Sequence, residues 1–313
     1  MAGKISAKSA RVAYVAEVTP GVTPATPAFK VFRSTGEGVE VIRQLSFTSE
    51  LNGKRGQNAH SLARKGGRAS YNFKFSYATL DDFLESALRS AWTTDALIDG
   101  VAQKTFTLET MFEGGATDIY KRVTGSEVNN LSLSFKAGED ISGSVAFMGL
   151  DGDFYNAAIA SSTYVAANTN PIQNFGDFSA FTMSGLTVGC VSAIDLTINN
   201  NLSEIMCLGS LAPTDLDGSA TLEVTGSIAI ALTSDEYDVL RAGADATTTS
   251  LDFKFGRTGG SKMRIELPNI VLSDINPKAE DADSGTVLIN ATFRAMQSST
   301  LSGGVIRVTR AVA

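Results

Sequence analysis

Apolar and polar residues alternate along much of the chain, and two helical stripes interrupt the alternation. Tyr71-Asn72-Phe73-Lys74-Phe75-Ser76-Tyr77 predicts a strand buried on one face. It runs into Thr79-Leu80-Asp81-Asp82-Phe83-Leu84, where Phe83, Leu84, Ala87, Leu88 and Ala91 share one face of a helix expected from Leu80 to Ala91. Thr79 stands at the N-cap position, and Asp81 and Asp82 suit the positive end of the helix dipole. About half a chain later the same grammar returns. Ile228-Ala229-Ile230-Ala231-Leu232 alternates, then Thr233 and Glu236 form a capping box ahead of Tyr237 and Val239.

The remaining pattern fits two copies of one plan. Val39 to Thr48 reads as a long strand paired with the Tyr71 strand, and a loop is expected between them from Glu50 to Arg68. Strands follow at Thr105–Glu109, Tyr120–Val123, Val128–Phe135 and Ser144–Met148. In the second half, Leu186 to Ile198 stands for the first long strand, and Leu251–Phe255 with Met263–Leu267 forms a hairpin. Lys136-Ala137 through Val145 aligns without gaps on Lys278-Ala279 through Val287. The expected organisation is an N-terminal arm (1–38), a first domain (39–152), a linker (153–177), a second domain produced by internal duplication (178–299) and a C-terminal arm (300–313). The N-terminal arm carries Pro20, Pro24 and Pro27, which remove ladder donors and fix φ, so it reads as an extended piece that lies on a neighbouring subunit.

Composition narrows the class. The 313 residues are 43% hydrophobic, enough for a packed core, and the net charge of −7 argues against electrostatic nucleic-acid binding by the whole chain. The charge is uneven. Residues 1–152 hold 17 basic and 16 acidic side chains, whereas residues 153–313 hold 9 and 17. Lys54, Arg55, His60, Arg64, Lys65 and Arg68 all fall in the Glu50–Arg68 loop. No aromatic residue is interleaved there to stack bases, so the loop reads as a protein contact for an acidic surface. Its counterpart, Asn199 to Gly218, is neutral to acidic. Cys190 and Cys207 match no metal or redox spacing and read as buried free thiols in a reducing compartment. No signal-peptide core and no stretch of membrane-span length is present, so assembly in the cytoplasm is expected.

Catalytic chemistry finds no foothold. One histidine, in a loop, supports no Ser/His/Asp or Cys/His constellation. Gly256 to Lys262 lacks the ending of a phosphate loop, and Glu280-Asp281-Ala282-Asp283 lacks the spacing of a calcium loop. No enzyme, cofactor or metal is expected.

The proline-rich Glu17-Val18-Thr19-Pro20-Gly21-Val22-Thr23-Pro24 resembles the opening of the major tail tube proteins of long, non-contractile-tailed bacteriophages. Similar in order and spacing are Arg43-Gln44, Ser49-Glu50, the helix from Thr79 to Leu88, Thr124-Gly125-Ser126-Glu127-Val128-Asn129-Asn130 and Ser144-Val145-Ala146-Phe147-Met148-Gly149. The resemblance is strong over the first half and looser over the second. It implies a mainly β fold of two tandem tail-tube-type β-sandwich domains, each with one flanking α-helix, whose sheets join neighbours into a ring-shaped β-barrel around a DNA channel. Rings would stack through the loop between the first two strands and the terminal arms. Six domains per ring would need three copies of a two-domain chain, a homotrimer with pseudo-sixfold symmetry, with a hexamer as the alternative. The implied partners are further copies of the chain, a tape measure protein, and tail terminator and distal tail proteins. DNA would pass through the lumen without specific binding, and the location would be the virion tail. A virion attachment protein is the other reading, and it predicts exposed aromatic clusters or divergent tip loops.

Overall fold

The computed structural model describes residues 5–51, 53–114, 117–184, 188–232, 237–257, 261–278 and 287–312. The chain is mainly β, with two short α-helices. Its first half contains β1 (Ala10–Ala16), β2 (Ala28–Val31), β3 (Gly36–Thr48), β4 (Ala59–Lys74), α1 (Asp81–Ala87), β5 (Ala96–Ile98), β6 (Phe106–Phe112), β7 (Ile119–Lys136), β8 (Ser142–Gly149), β9 (Asp151–Tyr155) and β10 (Thr163–Val165). The second contains β11 (Phe178–Met183), β12 (Val191–Asn199), β13 (Ser203–Ile205), β14 (Asp215–Asp217), β15 (Glu223–Ala231), α2 (Tyr237–Ala244), β16 (Thr248–Phe255), β17 (Lys262–Lys278), β18 (Leu288–Ala295) and β19 (Arg307–Val312).

One order of pairings occurs twice. In the first half β3-β4-β8-β7 forms one sheet and β1-β6-β7-β9 a second, with β7 shared between them. In the second half β12-β15-β18-β17 and β11-β16-β17-β19 do the same, with β17 shared. Each shared strand changes sheets where its ladders slip. The β6–β7 register shifts between Phe106 and Leu108 and the β7–β8 register between Val128 and Asn130. The β16–β17 register shifts between Thr249 and Leu251 and the β17–β18 register between Ser273 and Asn276. An extra residue in one strand bends it and strengthens its twist, which lets one strand serve two layers. Gly125 and Asp274, both at positive φ, mark these bends.

Residues in corresponding rows can be matched through the ladders. Val39, Ala69, Phe147 and Val128 lie side by side across β3-β4-β8-β7. Leu196, Gly226, Phe293 and Leu272 do so across β12-β15-β18-β17. By this match Val145 corresponds to Ala291, so the gapless alignment of Val145 on Val287 is out of ladder register. Its even offset nevertheless keeps the same face inward.

The expected alternation of β4 is present: Ala69, Tyr71, Phe73 and Phe75 are buried. Between the two sheets of the first half, Phe83 of α1 packs against Tyr14, Phe32, Phe106 and Phe147 with ring centroids 4.5 to 5.5 Å apart. A second aromatic cluster joins the halves, with Phe135 against Phe253 and Phe255 and Phe75 against Phe255.

Several expectations need correction. α1 ends at Ala87, and Ala91 is exposed. Thr79 does not cap it: the N-cap is Leu80, without a side-chain bond. Ala78, at φ 62°, turns the chain just before, and the Thr79 hydroxyl meets Ser76 and accepts from Asn168 instead. Asp81 and Asp82 do occupy the first turn. Thr233 and Glu236 lie outside the described residues. The segment expected as an N-terminal arm is folded into the chain's own second sheet through β1 and β2, because Val12, Tyr14, Phe29 and Phe32 supply it with a buried face. The expected C-terminal arm contains β19, which pairs with β17 on one side and β5 on the other. The stretch expected as a linker is pinned to the first half. Tyr164 of β10 stacks on Phe29 at 5.4 Å and its hydroxyl donates to Glu109. Cys190 and Cys207 are free but exposed: β12 begins only after Cys190, and Cys207 sits in a loop turn.

Among the described residues two ladders join the halves. β7 pairs with β12, and β5 with β19. Arg310 on β19 reaches Asp81 at 2.6 Å and Asp95 at 3.2 Å, and Asp99 accepts from the N–H groups of Val305 and Ile306. A further contact centres on buried Glu127. Gln103 donates both to Glu127 and to Asp215 of β14. Arg89 Nε stands 3.1 Å from Glu127 without hydrogen-bond alignment.

Two outcomes follow from this packing. Phe83→Ala removes a ring with aromatic neighbours on several sides and costs about 3–5 kcal/mol, measured by urea unfolding; a loss under about 1 kcal/mol would contradict the packing role. Burial pushes the Glu127 carboxyl up to about 7, against the opposing Arg89 charge and Gln103 hydrogen bond. The folded chain therefore keeps a proton that the unfolded chain releases near 4.5. The stability this group contributes is complete below that pH and is lost as pH rises through about 7. Wild type should thus weaken relative to Glu127→Gln across this window, by on the order of 3 kcal/mol in paired urea melts; parallel pH profiles would contradict it.

Candidate assembly surfaces

The ladders of both halves run together into one antiparallel sheet, β3-β4-β8-β7-β12-β15-β18-β17. The joint is the β7–β12 ladder, which pairs Phe135 with Ile194, Leu133 with Leu196 and Leu131 with Ile198. These residues alternate with polar ones, so strand parity sends one set to each face. The inward set, including Tyr71, Val145, Leu133, Leu196, Ile228 and Phe293, is buried. The outward set is mostly short and polar, with Ser70 and Asn72, Ser144, Ser132 and Ser134, Thr197, Thr225 and Ser227, Asn290 and Thr292, although Ala146, Ala229 and Leu288 share the face.

Charge on this face is mixed. Glu40, Asp195 and Glu223 stand among Arg68, Lys74, Lys136 and Arg294. Arg294 pairs with Glu223 at 2.6 Å, Lys74 lies 4.0 Å from Asp140, and Arg68 lies opposite Glu40 in the ladder. A cation already held by a carboxylate is less available to a phosphate. Short hydroxyl and amide side chains offer no long-reach charge.

The six basic positions read from the sequence do not form one loop. β4 begins at Ala59, so the loop proper spans 49–58 and holds only Lys54 and Arg55. The other four lie on β4, because residues 59–65 continue the β3 ladder as a two-stranded hairpin beyond the edge of β8. His60 is exposed opposite Phe47. Arg64 forms an ion pair with Glu204, and the Lys65 N–H donates to the Leu211 carbonyl at 2.7 Å. Part of the acidic surface expected opposite the basic loop is therefore the second half's own β12–β15 connection. Arg68 lies on the polar face.

Sequence reasoning overlooked the apolar side chains at this end. Leu45, Phe47 and Leu51 are exposed on the β3–β4 hairpin, Phe47 at 57%. Ile205, Met206, Leu208 and Leu211 are exposed on the β12–β15 connection beside it. The signal was present in the alternation Leu45-Ser46-Phe47, which continues past the last residue that β8 covers.

Of the three prolines, Pro20 is exposed, Pro24 half-buried and Pro27 buried. Glu17 holds the segment to the body. Its carboxylate accepts from Gly21 and Gly125 N–H groups and from the Thr105 and Thr107 hydroxyls. Around α1, burial tends to raise the Asp82 carboxyl, but the Lys30 hydrogen bond and the Lys104 and Lys30 charges outweigh it and hold the group below its ordinary value. Asp82 also accepts from the Tyr14 hydroxyl at 3.0 Å. Such a satisfied network ties elements together. Among the described residues no group of three or more His, Cys, Asp or Glu is placed to hold a metal ion, and no helix is long and apolar enough to cross a membrane.

Comparison with curated proteins finds no match. The family model of the phage tail tube protein matches residues 7–295, nearly the whole of the double-layered β framework. That match spans most of the chain, and the chain belongs to the phage tail tube protein family.

Proposed function

We propose that this chain is the structural subunit of the tail tube of a long-tailed phage, and that it consists of two tail-tube-type domains produced by duplication. The observation that carries the reading is the twofold occurrence of one pairing order, with the two copies joined edge to edge by the β7–β12 ladder. A chain that joins two such units internally has one further edge at each end of its eight-stranded sheet. β3 carries one and β17 the other. Three copies joined at these edges close a ring with six units, and closure removes the exposed edges.

The polar face then lines the channel. Its short Ser, Thr and Asn side chains and paired charges let DNA pass without a register of phosphate contacts. The β3–β4 hairpin and the β12–β15 connection carry the ring-to-ring contact, with Lys54, Arg55, His60 and Arg64 around an apolar centre of Leu45, Phe47 and Leu51. Tape measure protein inside the tube, and terminator and distal tail proteins at its ends, complete the assembly, which forms in the host cytoplasm and resides in the virion. The role is structural, without catalysis or cofactor.

Electron microscopy of the purified protein should show stacked rings or tubes; dispersed monomers at high concentration would contradict the reading. Replacing residues 49–58 by a tight turn, together with Phe47→Ser, should leave single rings and abolish tubes. Tubes of normal length from that variant would remove the hairpin from the ring-to-ring contact.

A further inference from the structure

We propose that β17 of one copy adds to β3 of the next with Pro277 opposite Val39, and that Lys121 supplies the hydrogen bond Pro277 is unable to give. The inference rests on the reading that copies join side by side, and it fixes the register and chemistry of that joint.

The two edges can be oriented from bonds already made. Thr35 N–H donates to the Asn72 carbonyl, whereas Lys65 N–H turns away from β3 to the Leu211 carbonyl. Even-numbered residues of β4 between 66 and 72 thus bond β3. Alternation along an antiparallel ladder then turns the backbone groups of Val39, Val41 and Arg43 away from β4. Val39 confirms this. Its N–H meets the Glu37 carboxylate at 3.0 Å and its carbonyl accepts from Lys121 Nζ at 3.3 Å. At the other end, Leu232 N–H donates to the Val287 carbonyl, so odd-numbered residues of β18 bond β15 and even ones bond β17. Asn276, opposite Asn290, faces β18, and Ile275 and Pro277 turn outward.

The β7–β12 ladder is the template. Pro277 faces Ile289 as Leu133 faces Gly143, and Val39 faces Ala69 as Leu196 faces Gly226. Leu133 pairs with Leu196, and Leu131 with Ile198. Carried to the outer edges, this register sets Pro277 against Val39, Ile275 against Val41 and Asn276 against Glu40. Every outward pair in the template exchanges two bonds. Pro277 has a carbonyl for the Val39 N–H but no N–H for the Val39 carbonyl. That carbonyl is the one Lys121 already reaches. Without the lysine the joint would bury an unpaired acceptor. With it, the proline also makes the edge unsuited to any strand lacking such a donor, which guards against wrong pairings.

In a Cys190→Ser, Cys207→Ser background, Glu40→Cys with Asn276→Cys places two cysteines at directly opposed positions. Such a non-hydrogen-bonded pair has Cα atoms roughly 4.5 Å apart, within disulfide reach. Mild oxidation of assembled protein should give a ladder of two- and three-chain species on a non-reducing gel. Ile42→Cys with Asn276→Cys, slipped by two residues, should stay uncross-linked. Cross-linking of the slipped pair overturns the register while copies still join. Intact rings in which neither pair cross-links overturn the β3–β17 joint itself. A chain that stays monomeric overturns both the joint and the assembly reading. Independently, Lys121→Met should raise the concentration needed for assembly by about fivefold or more. Adding Pro277→Ala, which restores an N–H, should recover it. Failure of this rescue while Lys121→Met still weakens assembly removes the lysine from the joint.

Discussion

The structure depends on the backbone ladder between β7 and β12. It pairs Asn130–Lys136 with Ala193–Asn199 and turns two four-stranded sheets into one of eight strands. A sheet edge is a row of unmet donors and acceptors, and a domain that exposes two of them is prone to add strands. In this chain one such addition is internal and permanent. The aromatic contact of Phe135 with Phe253 and Phe255 beneath it, and the clasp of β19 on β5, hold the two halves at one angle. What an assembly of single-domain subunits would have to find by collision is here built into the fold.

The long shared strands explain why the fold tolerates this. β7 and β17 each bend at slipped registers and belong to both layers of their unit. The helix of each unit lies against this strand: Ser86 of α1 accepts from the Val128 N–H, and Gly243 of α2 comes close enough to Ile275 that a Cβ would clash. The bend, the helix and the sheet joint are therefore mechanically linked, and the buried Phe83 cluster sits at their centre in the first half.

Much of this was legible in the alternation of residues. β8, β12, β15 and the end of β4 from Tyr71 read directly, because each has one dry face and one wet face. The capping signals were less faithful. Thr79 has the right identity and spacing, yet the positive φ of Ala78 redirects it, a backbone feature that no side-chain pattern reveals. The terminal segments were misread as arms because proline and short apolar runs suggest extension. Their burial depends on β6 and β5, which lie far away in sequence. The basic residues from His60 to Arg68 looked like a loop because glycines and charges dominate there, although the strand simply outruns the sheet behind it. The similar stretches around Lys136 and Lys278 lie on β7 and β17, but their gapless alignment is out of register with the matched ladders, since gapless similarity does not see a ladder.

The central claim is that two units per chain close a ring with three chains. Native mass spectrometry of the hairpin-shortened, ring-forming protein measures this directly. The account predicts a closed species of three 32.9 kDa chains. A stable ring of six chains, or an open series without a preferred number, would contradict it.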